Sequence, residues 1–175
     1  MKKLIHEIVE LNKAVNVYYP GLSDPEPGPP ASDNDLLRLD TYFSQKNLST
    51  PVSLRDALRV CNGAKHLYGE DFGLLSVDEI VSGAIEMVDE AIEEFPTATD
   101  IIIGGGSTGE FMGLDLSKKT HDGEIGVLSV TADLFARSAM SLGSYLETLH
   151  QTLTESLESE RRDRDEATRQ LGSDE

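Results

Sequence analysis

The middle third of this sequence lacks basic residues. Between His66 and Ser117 there is no Lys or Arg, although the same stretch holds twelve Asp and Glu residues. The whole chain of 175 residues carries a formal net charge of -17. Because nucleic acids and anionic membranes are bound mainly through Lys and Arg, neither is expected as a direct partner. A surface of one charge sign favours a basic partner, and acidity that serves only solubility is the simpler alternative.

Cysteine and long apolar runs are also scarce. Cys61 is the only cysteine, so no disulfide can form within the chain and a reducing compartment is expected. No apolar run approaches the roughly 20 residues that a membrane-spanning helix needs. Charges between Lys2 and Glu10 interrupt any signal-peptide core. These absences predict a cytoplasmic protein that does not contact a membrane.

The spacing of apolar and proline residues divides the chain into four segments. Residues 1–19 are predicted to hold an amphipathic helix, since apolar side chains recur there every three or four positions. Residues 20–32 contain five prolines and are expected to form an extended connector without regular structure. A folded domain is expected over residues 33–157. Residues 158–175 are mostly charged and are predicted to be a frayed or disordered tail.

Within residues 33–157 the pattern predicts an α+β fold. Strand-like segments follow one another through short turns at 65–75, 101–103, 110–116 and 124–130. This sequential connectivity favours a mostly antiparallel central sheet. Helices are expected to flank the sheet, and the chain is predicted to be helical after Asp133. A stripe of leucines over 142–153 predicts a long C-terminal helix.

The clearest predicted helix starts at a capping-box sequence, Ser76 followed by Glu79. Apolar residues recur at helical spacing over 77–95, and Pro96 ends the pattern. At about 100 degrees per residue, the face opposite the apolar stripe carries four glutamates: Glu79, Glu86, Glu90 and Glu93. We interpret this face as a docking surface for a basic protein, which Glu70, Asp71 and Glu110 extend. A solvated face without a partner is the alternative.

The sequence patterns that could indicate an enzyme or a cofactor site are incomplete in this chain. Residues 104–109 match the G-x-G-x-x-G spacing of dinucleotide-binding loops. Such a loop needs a following helix whose N-terminus binds the pyrophosphate, but the residues that follow alternate like a strand. The four histidines are scattered singly, and none lies at metal-ligand spacing from another or from Cys61. We therefore expect no catalytic residue, no metal and no cofactor, and we predict that Cys61 is a small core residue.

Three segments resemble the SUKH superfamily, which includes fungal cell-wall assembly regulators and many bacterial toxin-immunity proteins. Residues 51–64 resemble the family's helix that begins at a Pro and ends in Asn-Gly. Residues 74–80 resemble its strand that runs into a capped helix, and residues 101–115 resemble its central strand, Gly-rich turn and following strand. The resemblance covers about residues 33–153. This chain has no tryptophan, whereas many members carry one in the core.

The resemblance implies an α+β domain that binds proteins and has no active site. Members with immunity roles bind and neutralise a cognate toxin, often a nuclease. We therefore expect an immunity-type protein that acts on a basic toxin domain. A regulatory or scaffold role of the cell-wall type is the alternative that the resemblance leaves open, and neither the partner nor the oligomeric state follows from the sequence.

Overall fold

Seven strands form one antiparallel sheet in the computed structural model, which describes residues 1–68, 72–83, 98–105, 111–116, 122–130 and 136–171. The strands are β1 (Glu26–Pro27), β2 (Ala64–Tyr68), β3 (Phe72–Leu74), β4 (Ala98–Gly105), β5 (Phe111–Asp115), β6 (Gly126–Val130) and β7 (Ala136–Ala139). Their order across the sheet follows their order in the sequence, and each pairs antiparallel with the next. The prediction of an α+β fold with an antiparallel sheet is confirmed.

Five helices within the described residues accompany the sheet. They are α1 (Lys2–Asn16), α2 (Asp33–Gln45), α3 (Val52–Leu58), α4 (Val77–Ser82) and α5 (Leu142–Leu171). Helices α1 and α5 pack along each other, α2 packs on α4, and α5 also contacts β6 and β7. The predicted long C-terminal helix is confirmed, and α1 buries its apolar face in the same core as the strands.

The core is built mainly from branched aliphatic residues of the central strands and one stripe of each long helix. Every residue of β5 and β6 is buried, so both faces of these strands are covered. Such strands favour apolar residues at every position rather than an alternating pattern. Cys61 is 2% exposed and belongs to this core, which confirms its predicted place.

Two helices begin at capping boxes, and the sequence predicts the one at Ser76. The Ser32 side chain accepts from the backbone N–H of Asp35, and the Asp35 carboxylate accepts from the backbone N–H of Ser32. Ser76 and Glu79 make the same reciprocal pair at the start of α4. Each box satisfies backbone donors that the first turn of a helix leaves without a partner.

The single helix predicted over 77–95 is wrong, because α4 ends at Ser82. Gly83 lies in the left-handed region, with φ 67 and ψ 43, and its backbone N–H points back to the carbonyl oxygens of Glu79 and Ile80. This is a common helix ending, since glycine adopts the left-handed conformation without a clash at Cβ. The apolar pattern continues past Gly83 and so hides the break. Residues 84–97 lie outside the described part of the chain.

Two segments predicted to lack strand structure form strands, because each pairs with a neighbouring strand. Within the connector, β1 pairs with β2, and the backbone N–H of Gly28 donates to the carbonyl of Gly63 at 2.8 Å. A proline is compatible with this pairing because β1 is an edge strand, where one side needs no donor. Gly104 and Gly105, expected in a turn, extend β4 and pair with β3 and β5.

The C-terminal part also differs from the prediction in two places. The chain forms β7 after residue 135, where a helix was expected, and β7 pairs along its length with β6. Its sequence, Ala-Arg-Ser-Ala, has weak strand propensity, so the pairing with a buried strand decides its conformation. Helix α5 continues to Leu171, so the residues 158–171 predicted as a frayed or disordered tail are helical.

Candidate protein-docking surface

The structure describes one of the seven glutamate and aspartate residues predicted to form the docking surface. Glu79 lies in the first turn of α4 and is exposed. The other six lie outside the described residues: Glu70, Asp71, Glu86, Glu90, Glu93 and Glu110. Because Gly83 ends α4, Glu79 does not lie on one continuous helical face with the glutamates that follow it.

Glu79 has a structural role that the sequence pattern also predicts. Its Oε2 accepts from the backbone N–H of Ser76 at 2.7 Å and from the Ser76 hydroxyl at 2.7 Å. The carboxylate is therefore bound to the helix start, and its remaining capacity to accept hydrogen bonds faces solvent. A substitution of Glu79 would change helix stability as well as surface charge.

The strand register shows where the other predicted residues connect to the sheet. Tyr68 pairs with Phe72, Gly73 pairs with Gly105, and Gly105 pairs with Phe111. The β2–β3 and β4–β5 connections therefore leave the sheet at the same end. Helix α4 starts beyond the other end of β3. The proposed grouping of Glu79 with Glu70, Asp71 and Glu110 thus has no support from the register.

A different acidic cluster forms where α2 and α4 start side by side. Arg38 Nη1 on α2 lies 2.5 Å from Asp78 Oδ1 on α4 and 3.6 Å from Asp35 Oδ1. This guanidinium holds the first turns of both helices together. Asp33 and Glu79 lie in the same two first turns. We call this set the α2–α4 surface: Asp33, Asp35, Leu37, Arg38, Asp78 and Glu79.

The α2–α4 surface keeps its negative charge at neutral pH. The hydroxyl of Ser32, followed by its backbone N–H, donates to the Asp35 carboxylate and lowers the pKa of Asp35. Arg38 adds to this effect through its positive charge. The set holds four carboxylates and one guanidinium, so the surface presents a net negative field to solvent.

Leu37 gives the α2–α4 surface an apolar contact point. The buried side of α2 is formed by Leu36, Leu39 and Phe43, which leaves Leu37 off that stripe and 64% exposed. A single exposed leucine is ordinary on a protein surface. It lies one turn after Asp33 on α2, so this exposed leucine and a carboxylate share one side of the helix.

Two further polar contacts in the described residues connect α3 to other parts of the fold. Arg55 on α3 donates to the Asp40 carboxylate on α2 through Nε and Nη2, and the Thr50 hydroxyl donates to it as well. Glu124 accepts from the backbone N–H of Ser53 at 2.8 Å and from its hydroxyl at 2.6 Å. The second contact caps the start of α3 with a carboxylate from a distant part of the chain.

The single cysteine of the chain is a buried thiol. Burial raises the pKa of the Cys61 thiol to about 11, so this thiol is a poor nucleophile at neutral pH. Within the described ranges, no three His, Cys, Asp or Glu residues are arranged so that they could hold a metal ion. In the same part of the chain, no helix is long and apolar enough to span a membrane.

Comparison with known proteins adds no assignment. No protein-family model matches the chain, and no curated protein matches it.

Sequence reasoning missed most of the α2–α4 surface, although two signals for it are present. The capping sequence at Ser32 places Asp33 and Asp35 in the first turn of α2. The apolar spacing of α2 sets Leu37 apart from the buried stripe. The contact between Arg38 and Asp78 joins residues 40 positions apart, and no local pattern reveals such a pair.

Proposed function

We propose that this chain is a non-enzymatic protein-binding domain of the immunity type, which binds and neutralises a basic toxin domain such as a nuclease. The observation that carries the proposal is the α2–α4 surface, which combines four carboxylates with one exposed leucine, on a chain of net charge -17. The resemblance of residues 33–153 to the SUKH superfamily supplies the class of partner.

Electrostatics explains how such a surface would neutralise a nuclease. A nuclease holds its substrate through Lys and Arg contacts to phosphates, so its substrate channel is basic. An acidic protein is drawn towards that channel and associates faster than a neutral one. Once docked, it excludes nucleic acid by occupying the same charged groups. Leu37 would supply the desolvated contact that slows dissociation.

The first test uses the product of the gene immediately upstream, which the immunity role predicts to be a toxin with a basic domain. Isothermal titration should give one-to-one binding whose affinity falls as salt is raised. The variant Asp33→Lys with Asp78→Lys should lower the affinity at least ~10-fold, equivalent to ~1.4 kcal/mol. Leu37→Asp should lower it by a similar factor, mainly through faster dissociation.

A matched control separates the surface from the overall charge. Glu147 and Glu155 are exposed on α5, and replacing both with Lys makes the same change in net charge. This control should bind within ~3-fold of the unchanged chain at ~0.15 M salt, where long-range charge effects are screened. Equal losses in both double variants would show that the α2–α4 surface is not the docking site.

Glu79 needs its own pair of variants because it caps α4. Glu79→Gln keeps an acceptor for the Ser76 donors and removes the charge. Glu79→Lys removes both and should also lower thermal stability, by about 1 kcal/mol for a lost cap. If Glu79 contacts the partner, Glu79→Gln weakens binding without changing stability.

The regulatory or scaffold role is the second candidate, and α5 favours it. Residues 161–170 of this helix are all exposed, which suits contacts with additional proteins. Copurification from the native host distinguishes the two functions. One basic, nuclease-like partner supports the immunity role. Several unrelated partners, with no toxicity from the neighbouring gene product, support the scaffold role and contradict the first proposal.

A further inference from the structure

The end of α5 extends beyond the folded body of the protein. Leu157 is the last buried residue of this helix. Beyond it, Tyr19 donates a hydrogen bond to Glu160, and Arg164 lies over the ring of Tyr18 at 6.0 Å. We call residues 158–171 the α5 arm. At 1.5 Å per residue the arm is about 20 Å long.

Four charged residues of the α5 arm form a single stripe. Glu158, Arg162, Asp165 and Arg169 follow one another at spacings of four, three and four, so they fall within about 60 degrees of each other around the helix. All four are exposed. The buried leucines Leu146, Leu149, Leu153 and Leu157 lie on the other side of α5. The stripe therefore points away from the body.

The charges of this stripe alternate along the helix. Read from Glu158 to Arg169, the signs are negative, positive, negative and positive. Read in the opposite direction, every sign is reversed. The stripe is therefore complementary to a copy of itself that runs antiparallel. A symmetric dimer requires this kind of self-complementary surface.

We propose that the α5 arm binds the α5 arm of a second copy of this chain, antiparallel, about a two-fold axis that passes between Asp163 and Arg164. In this arrangement Glu158 faces Arg169 of the second copy, and Arg162 faces Asp165 of the second copy. Symmetry repeats both contacts, which gives four ion pairs and no pair of like charges. The arm shares no residue with the α2–α4 surface, so this proposal does not depend on the proposed function.

The four side chains are available for such contacts. Among the described residues, none of the charged groups of Glu158, Arg162, Asp165 and Arg169 makes an ion pair or a hydrogen bond. A wholly acidic or wholly basic partner would face two like charges in this stripe, which costs binding energy. A second copy matches all four.

The net charge of the chain does not prevent this association. In the antiparallel arrangement the two bodies lie at opposite ends of an overlap of 12 residues, about 17 Å long. At 0.1 M salt the Debye length is about 10 Å, so repulsion between the bodies is largely screened. Exposed ion pairs are individually weak and are screened by salt. We therefore expect a weak dimer that forms near 0.1 M salt and dissociates near 1 M.

The test uses charge-reversal variants of the full chain in sedimentation equilibrium, from about 0.1 to 2 mM protein, since four exposed ion pairs give a Kd of about 1 mM at best. Arg162→Asp and Asp165→Arg each turn two of the four ion pairs into like-charge contacts, so each variant should be monomeric. An equimolar mixture of the two should dimerise, because positions 162 and 165 then carry opposite charges in both of the contacts that they make. The double variant Arg162→Asp with Asp165→Arg should dimerise alone.

Asp163→Arg provides the matched control. It makes the same charge change as Asp165→Arg, but position 163 lies about 130 degrees from the centre of the stripe, so its dimer should survive. The proposal is overturned if the unchanged chain stays monomeric throughout the concentration range at 0.1 M salt. It is also overturned if the mixture of the two single variants stays monomeric, because ion pairs within one helix cannot be restored by mixing.

Discussion

Asn12 of α1 holds two consecutive carbonyl groups of β2, those of His66 and Leu67. Its Nδ2 donates to the His66 oxygen at 3.0 Å and to the Leu67 oxygen at 3.1 Å. His66 has a positive φ of 52, and the pairing of β2 with β3 shifts register between Ala64 and Tyr68. A non-glycine residue with positive φ is uncommon in a strand. The buried amide of Asn12 stabilises this irregular segment and joins α1 to the sheet.

Replacing Asn12 with Ala should lower the free energy of unfolding by about 1–3 kcal/mol, because two carbonyl groups lose a buried donor. Urea denaturation followed by circular dichroism measures this loss. Asn16→Ala is the control, since Asn16 lies on the same helix and donates to the Ser23 carbonyl at an exposed position. Its loss should stay near 0.5 kcal/mol. Equal losses would show that the bonds of Asn12 to β2 carry no special weight.

The contact between Asp40 and Arg55 should make part of the stability depend on pH. Partial burial alone would raise the pKa of Asp40, but hydrogen bonds from Arg55 and Thr50 and the charge of Arg55 outweigh burial and lower the pKa. A lowered carboxyl pKa in the folded state stabilises the protein above the unfolded value of about 3.9. That stabilisation is lost as the pH falls through the folded-state value.

The difference in the free energy of unfolding between the unchanged chain and the Asp40→Asn variant therefore measures this contribution. At pH 7 the free energy of unfolding of the variant should be about 0.5–1 kcal/mol lower, which is the size expected for a partly exposed ion pair. The difference should shrink as the pH drops below about 3.9, where the carboxyl group is protonated in the unfolded chain, and it should disappear below the lowered folded-state pKa. A difference that stays constant from pH 7 to the acid range would contradict the role of charge at this position.

Two glycines should respond in opposite directions to the same substitution. A Cβ added at Gly73 would lie 2.3 Å from the carbonyl oxygen of Ala64, so Gly73→Ala forces β2 and β3 apart. Overpacking of this kind costs about 1–3 kcal/mol, and more where backbone must move. At Gly143, in the first turn of α5, the nearest atoms lie 3.4 Å or farther from such a Cβ. Gly143→Ala should stabilise the protein by about 0.4–1 kcal/mol. Thermal unfolding of both variants measures whether each substitution raises or lowers stability. Destabilisation by Gly143→Ala would contradict the packing described for this turn.

The Cys61 thiol should be almost unreactive in the folded protein. With its pKa raised to about 11, about one molecule in a thousand carries the reactive thiolate at pH 8, and the residue is 2% exposed. A thiol reagent such as DTNB should label it slowly in buffer and within seconds in denaturant. Labelling at the same rate in both conditions would show that Cys61 is accessible.

Local sequence signals predicted the starts of elements better than their ends. Ser76 and Glu79 reveal the start of α4, because a capping box depends on residues three positions apart. Gly83 ends α4 inside a continuing apolar pattern. A glycine within such a pattern is compatible with both a helix interior and a helix end, so the tertiary structure decides.

Elements set by distant contacts could not be predicted from local patterns. The segment that forms β7 has few strand-favouring residues, and its pairing with β6 overrides the local preference. The α2–α4 surface depends on Arg38 reaching Asp78, and the buried position of Asn12 depends on β2. These contacts join parts of the chain that only the fold brings together, which is why the charge pattern could not predict the acidic surface between α2 and α4.

The packing of α1 against α5 sets an order for folding during synthesis. Each strand pairs with its neighbour in sequence, so hairpins can assemble while the chain is still emerging from the ribosome. Helix α1 is made before the strands, yet most of its apolar face packs on α5, which is made after them. In a nascent chain that part of α1 therefore stays exposed until α5 has emerged.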